Sequence, residues 1–432
     1  MTGTRWRNWA RNQVAEPFAV HRPSSEHDLA AIVKQASTER RTVKVVGSGH
    51  SFTDIACTDG HLVDLSLYNR VLAIDPEART ATVQAGIRLE DLNVHLDRRG
   101  LALPNLGDIV YQTIAGATST STHGTGPLLT GLAGQIVAMR LVLADGSAID
   151  CSPTEESELF HSASEGLGAL GIISTVTLGV VPAFNLAAVE EPMRVDDVLA
   201  AIDEHVDGND HFEFYWVPHT GWALTKRNNR TTEALSRRGR LVEWRDDYLL
   251  QNYAFGALCR VGRVRPRWIP KLAKALPSAG RVSYVDRSYR VFASPRLVRF
   301  YEMEYAIPRE AGVEALGRVR RFVEDSGLLL SFPVEVRFTA PDDIPLSTAN
   351  GRESCYIAVH VFEGMEYRPY FEGVERIMDA YGGRPHWGKL HFQTARTLAE
   401  RYPEWERFAA VRDRVDPERR FSNPYLERVL GP

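Results

Sequence analysis

His50 stands at the end of a stretch in which a short β-branched run, Val43 to Val46, gives way to Gly47, Ser48 and Gly49 and is followed by Ser51. Glycines at such a place let the backbone turn tightly and approach a ligand closely. Successive N–H groups in a turn of this kind form a concavity for anions, phosphates above all. An imidazole there can touch whatever the phosphates belong to. A second cluster runs from Ile114 to Gly126 and holds Thr118, Ser119, Ser121, Thr122, His123 and Gly124 among other small residues. Hydroxyls and bare backbone at that density suit a large polar ligand such as a dinucleotide. Gly166, Gly168 and Gly171 match G-x-G-x-x-G, but a helical pattern precedes them and a strand beginning at Ile172 follows. A nicotinamide-type site needs the opposite order, strand before and helix after. The glycines are read instead as letting this loop lie against a bound cofactor.

Glu335 and Arg337 are two apart in the strand pattern Val334 to Phe338 and share one face, with Val334, Val336 and Phe338 on the other. Facing a cleft, a carboxylate beside a guanidinium suits hydroxyl and carbonyl oxygens. A further strand places Tyr356, Ala358, His360 and Phe362 on one face. In Pro385-His386-Trp387-Gly388-Lys389, a lysine held after a glycine can approach a planar ligand as a point charge.

The elements that carry these residues divide the chain. An amphipathic helix from Ser24 to Glu39, with Ser25 at its cap, precedes the strand at Val43. Leu62 to Leu67 and Ala81 to Ala85 read as strands, and Leu89 to Arg99 as a helix ended by Gly100. A hairpin turns at Asp145-Gly146, Glu155 to Glu165 is helical, and Ile172 to Val180 is a strand. Residues 1–180 are thus α+β. After Pro182 come alternating strands, His211 to Val217, Ser283 to Phe292, Val334 to Thr339 and Cys355 to Phe362, read as an antiparallel sheet in a second domain, 181–375. Residues 376–432 return to helix and are expected to pack on the first domain.

The chain has 432 residues, 44% hydrophobic and 25% charged, which suits a soluble protein of two domains. A net charge of −4 gives no general pull toward nucleic acid. The basic segment from Arg260 to Lys274 is accordingly read as a solvated face rather than a membrane patch. Four scattered cysteines without a C-x-x-C pair point away from a metal centre and toward free thiols in a reducing compartment. The polar stretch from Met1 to Gln13 lacks a secretory h-region, and no apolar run is long enough to span a bilayer. A cytoplasmic location is expected, compatible with attachment at a membrane surface.

These motifs, in this order, resemble the flavin-linked oxidases of the vanillyl-alcohol oxidase superfamily, most closely its aldonolactone and alditol oxidoreductases. The similarity runs from Trp9 to Pro432. It implies a two-subdomain FAD-binding domain with an antiparallel-sheet substrate cap. It implies FAD held by Val46 to Ser51, Gly107, parts of Thr118 to Gly124, Gly168 to Ile173, His386, Lys389 and Asn423, with His50 bonded covalently to the flavin. The implied reaction is oxidation of a sugar-derived lactone of the L-gulono-1,4-lactone type by hydride transfer to flavin N5, or alternatively of a polyol's terminal hydroxyl. Glu335 and Arg337 would orient the sugar, Lys389 would stabilise developing charge, and His360 would contact substrate or take its proton, with His360 and Lys389 both open as the base. Gly107 aligns with a position whose small residue lets oxygen reach the flavin, whereas dehydrogenase relatives use other acceptors. Oxygen and a redox protein or quinone both stay open. Asp108 departs from the serine of alditol oxidases, which weakens the polyol alternative.

Overall fold

The computed structural model describes residues 5–274 and 280–432. The first four residues of the polar N-terminal stretch lie outside them. Ser25 caps helix Glu26–Thr38: its side chain accepts from Asp28 N while Asp28 caps back, and Leu29, Ile32, Val33 and Ala36 form the buried stripe. This helix leads into a parallel three-stranded sheet, ordered Ala19–His21, His61–Asp64, Val43–Val46. An antiparallel five-stranded sheet follows, ordered Ala148–Cys151, Ile136–Val142, Ile172–Gly179, Thr80–Gln84, Val71–Asp75. Helix Leu89–Asp97 ends before Gly100, which takes φ +69°. Gly146 takes φ +79° in the hairpin turn. Leu62 to Leu67 is not one strand: pairing stops at Asp64, whose side chain caps a 3₁₀ turn over Leu65–Leu67.

The larger sheet has eight antiparallel strands in the order Val282–Arg287, Asn185–Arg194, Trp222–Thr231, His211–Trp216, Val334–Thr339, Ser354–Phe362, Phe300–Pro308, Arg384–Pro385. The segment Ser283 to Phe292 is strand only to Arg287 and then helix Ser288–Phe292. One face of the sheet is apolar. Phe212, Phe214, Trp216, Met303, Tyr305, Ile307, Val334, Val336, Ile357 and Val359 pack there with residues of helices Gly312–Ser326 and Arg368–Asp379. The other face is charged and builds the site.

A separate core joins the two smaller sheets to the C-terminal residues Leu398, Tyr402, Phe408, Phe421, Tyr425 and Leu426. The segment from Arg384 to Leu390 stitches the parts together. Arg384–Pro385 pairs with Tyr305 and Ala306. His386 N donates to Glu304 O at 3.0 Å and Leu390 N to Glu302 O at 2.8 Å, while Phe52 N donates to Gly388 O at 2.7 Å.

Candidate active site

The turn after Val46 opens into an elongated groove with about 870 Å³ of free space, counting its open side. Val46, Gly47, Ser48, Gly49, His50, Ser51, Ser119, Gly168, Gly171 and Ile173 line it, with Lys44, Thr113, Gly116 and Thr120. The backbone is held close: a Cβ on Gly47 would lie 2.0 Å from Thr113 Oγ1, and Gly49 takes φ +67°. Gly168 and Gly171 also have positive φ, and the strand Ile172–Gly179 follows them. No acidic side chain lines the groove among the described residues, and Lys44 is buried beside it. Burial draws the Lys44 ammonium down to about 7. A narrow cleft of exposed backbone, hydroxyls and one amine fits a dinucleotide with its pyrophosphate.

The other residues read as cofactor contacts lie around the groove rather than along it. Thr118 turns its hydroxyl back to the carbonyls of Ile114 and Ala115. Ser121 donates to the buried Glu165, and Thr122 Oγ1 accepts from Gln112. A Cβ on Gly124 would lie 2.3 Å from Leu106 O. Gly107 packs at the backbone of His123, 3.1 Å from where its Cβ would stand. Asn423 caps helix Pro424–Leu430 and donates to the carbonyls of Asp54, Ile55 and Cys57, so it fixes a loop beside the groove.

His50 lines the groove. Its ring stacks on Trp9 with centroids 5.5 Å apart. Burial lowers its pKa to about 4, helped by the charges of Lys389 and Arg88, so the imidazole is neutral near pH 7. Beyond it stands the charged face of the large sheet, organised by register. Glu335 opposes Ala358 and Arg337 opposes Tyr356; on the next strand Glu304 opposes Ala358 and Glu302 opposes His360. Ala358 leaves room between the acidic rows.

Three carboxylates hold Arg337: Glu335, Glu213 at 2.8 Å and Asp108 at 3.4 Å. Glu335 also accepts from Tyr215 Oη at 2.7 Å. Burial, with Asp108 and Glu213 nearby, keeps the Glu335 carboxyl above its ordinary range despite Arg337. Lys389 pairs with Glu302. Burial opposes the Lys389 charge, but Glu302 and Glu304 outweigh it and raise its pKa. Burial likewise opposes ionisation of Glu302, yet Lys389 and His360 bring it to about 2. Glu304 is 3.2 Å from His123 Nε2, and the His123 ring stacks on Tyr356 at 3.7 Å. His386 is buried beside this pair, and its pKa falls to about 3 chiefly through desolvation.

His360 has a defined polarity. Its Nδ1 lies 3.0 Å from Pro333 O, which can only accept, so Nδ1 carries the hydrogen. Nε2 stands 3.5 Å from Glu302 Oε1, a carboxylate oxygen that also accepts only. A proton added at Nε2 gains a carboxylate partner at once.

The sequence reading passed over Glu213, Tyr215, Arg296, Glu302 and Glu304. Glu302 and Glu304 carried a usable signal: two acids spaced by two in the otherwise apolar strand Phe300–Pro308, the same device as Glu335 and Arg337. Among the described residues, two triads have ligand atoms close enough for a metal ion, His123–Glu304–His386 and Glu302–Glu335–His360. Both lie within the ion-pair and hydrogen-bond network just described.

Residues 17–152 match the FAD binding domain model and residues 176–429 the model of D-arabinono-1,4-lactone oxidase. The chain is 49% identical over 431 residues to L-gulono-1,4-lactone dehydrogenase of Mycobacterium tuberculosis, covering 99% of each. It is 36% identical to L-gulonolactone oxidase of Bos taurus, covering 99% of this chain and 98% of the relative. It is 30% identical to alditol oxidase of a Streptomyces species, over 98% of each. A solvent-stable cholesterol oxidase structure superimposes with a TM-score of 0.85 at 19% identity, covering 98% of this chain and 97% of that one, which establishes the fold. The chain belongs to the D-arabinono-1,4-lactone oxidase family of FAD-dependent oxidoreductases, within the vanillyl-alcohol oxidase superfamily.

Proposed function

We propose that this enzyme oxidises a carbinol of an aldono-1,4-lactone, of the L-gulono type, with FAD seated in the groove and bonded covalently to His50. The observation that carries the reading is the charged sheet face beside His50. FAD, when bound, supplies the two-electron acceptor for the carbinol hydrogen. Arg337, immobilised by three carboxylates, donates to substrate oxygens without reorganising. Glu335, its pKa raised, donates or accepts at a neighbouring hydroxyl. His360 Nε2 receives the hydroxyl proton, and Glu302 stabilises the resulting imidazolium. Lys389, held cationic by Glu302 and Glu304, supplies fixed positive charge rather than acting as the base. Asp108 favours the lactone over a polyol, because it commits two arginines to fixed positions.

Anaerobic reduction of the holoenzyme tests this. L-gulono-1,4-lactone is expected to bleach the flavin faster than xylitol or sorbitol at equal concentration; a preference for the polyols would sink the lactone reading. Admitting air to the reduced enzyme then separates oxygen from a redox protein or quinone as acceptor. The location proposed with this reading is the cytoplasm, with peripheral attachment at a membrane surface compatible with it.

A further inference from the structure

Between cap strands Trp222–Thr231 and Val282–Arg287 the chain leaves the sheet as a helical arm, including helix Phe255–Val264, a 3₁₀ turn Pro266–Trp268 and helix Ile269–Lys274. One side of the arm is anchored. Cys259 is buried with Phe300, Phe332 and Phe362, and the Phe255 ring meets Phe332 edge-on at 4.9 Å. Asn252 bonds both Pro295 O at 3.0 Å and Leu297 N at 2.7 Å.

The outer side is unusual. Tyr253, Ala257, Val261 and Val264 are exposed along the helical run that ends at Val264, and Trp268 is exposed in the 3₁₀ turn that follows the break at Arg265. Val264 is 72% exposed and Trp268 55%. Around them stand Arg260, Arg263, Arg265, Arg267, Lys271 and Lys274, all exposed, and no acidic residue occurs from Phe255 to Lys274. Arg263 is engaged over Phe362 and with Glu363 O. The other five have no ion-pair partner among the described residues. A concentration of six cations in a chain of net charge −4 is a local feature with a local purpose.

We propose that this arm docks on an anionic lipid surface, with Val261, Val264 and Trp268 in the headgroup–acyl boundary and the basic residues on lipid phosphates. Aliphatic and indole side chains beside a basic rim are what an interfacial helix presents. A nucleic-acid backbone has no use for the valines. A two-fold dimer through the same face would set the cations against their own copies. The arm's inner side reaches Phe332, whose ring centroid is 6.1 Å from that of His360, so docking holds the reaction site beside the bilayer. The proposal does not depend on the identity of the substrate.

Vesicle flotation of the holoenzyme tests it, with phosphatidylcholine alone against phosphatidylcholine containing phosphatidylglycerol. Wild type is expected to float with the anionic vesicles at low salt, to release as salt rises, and to ignore the neutral ones. The triple variant Arg260→Gln, Arg265→Gln, Arg267→Gln should bind roughly 100-fold more weakly, about five-fold per charge. Val264→Ser with Trp268→Ser should weaken binding further while turnover in solution stays unchanged. Absence of wild-type flotation at low salt, or equal flotation by these variants, would overturn the proposal. So would a vesicle-free dimer that Trp268→Ser dissociates.

Discussion

Asp108 Oδ1 lies 3.4 Å from Arg337 Nη2, and its other oxygen pairs with Arg296. One carboxylate from the loop after Leu106 therefore joins two guanidiniums, one in the eight-stranded sheet and one in the segment before Phe300. Burial opposes its ionisation, but the two arginines hold the carboxyl well below its usual range.

Removing that charge leaves the buried Arg337 and the part-exposed Arg296 each short of a partner. Asp108→Asn is expected to cost about 1.5–3 kcal/mol of stability, the range for hydrogen bonds to charged groups, because water reaches part of Arg296. Calorimetric unfolding of the holoprotein measures it. Asp108→Ser should also raise the ratio of polyol to lactone turnover, because Arg337 loses one of its three restraints. An unchanged melting temperature in Asp108→Asn would mean that the carboxylate adds nothing to the hold on the two arginines.

His360→Gln keeps a polar side chain but removes the proton acceptor at Nε2. Anaerobic flavin reduction by lactone should slow about 100-fold or more, in the range for loss of a general base, with a smaller change in lactone affinity. Stopped-flow reduction resolves the two. A rate equal to wild type would remove His360 from proton transfer and return Lys389 to consideration.

His50→Ala should abolish covalent attachment, so that acid precipitation leaves the yellow colour in the supernatant. Wild-type precipitate should be coloured; a colourless wild-type pellet would refute the link. The variant should still bind FAD, because Gly47, Gly49 and Gly168 shape the groove independently of the imidazole.

Stability should fall with acid in a defined way. Unfolded His386 takes a proton near its ordinary 6.5, whereas burial holds the folded imidazole near 3. Between these values the unfolded chain binds more protons, so stability drops as pH falls from 6.5, by about 1.4 kcal/mol per pH unit. Glu302 adds the same sign lower down, from its ordinary 4.5 toward 2. Urea unfolding of wild type and His386→Asn between about pH 5 and 6.5 should give a flatter dependence in the variant. Parallel slopes would mean that the native imidazole is already charged.

Much of the groove was legible because glycine announces backbone geometry directly. Gly47, Gly49 and Gly168 stand where a close approach or a positive φ requires them. The face shared by Glu335 and Arg337 was legible from period two alone. Glu302 and Glu304 were not, because buried acids interrupt the apolar pattern that identifies a strand, and their partners His360, His123 and Lys389 are far away in sequence. The arm's basic segment was read from net charge as a solvated face. Only the structure shows that Val261, Val264 and Trp268 are exposed while Cys259 turns inward.

The stitch from Arg384 to Leu390 has a mechanical outcome. The same few residues hydrogen-bond to the cap strand Phe300–Pro308 and to the segment that carries His50. Swinging the lobes apart like a clam would tear both seams at once. A hinge between the two sheets is therefore the wrong place to look for substrate admission: the two bodies stay clenched.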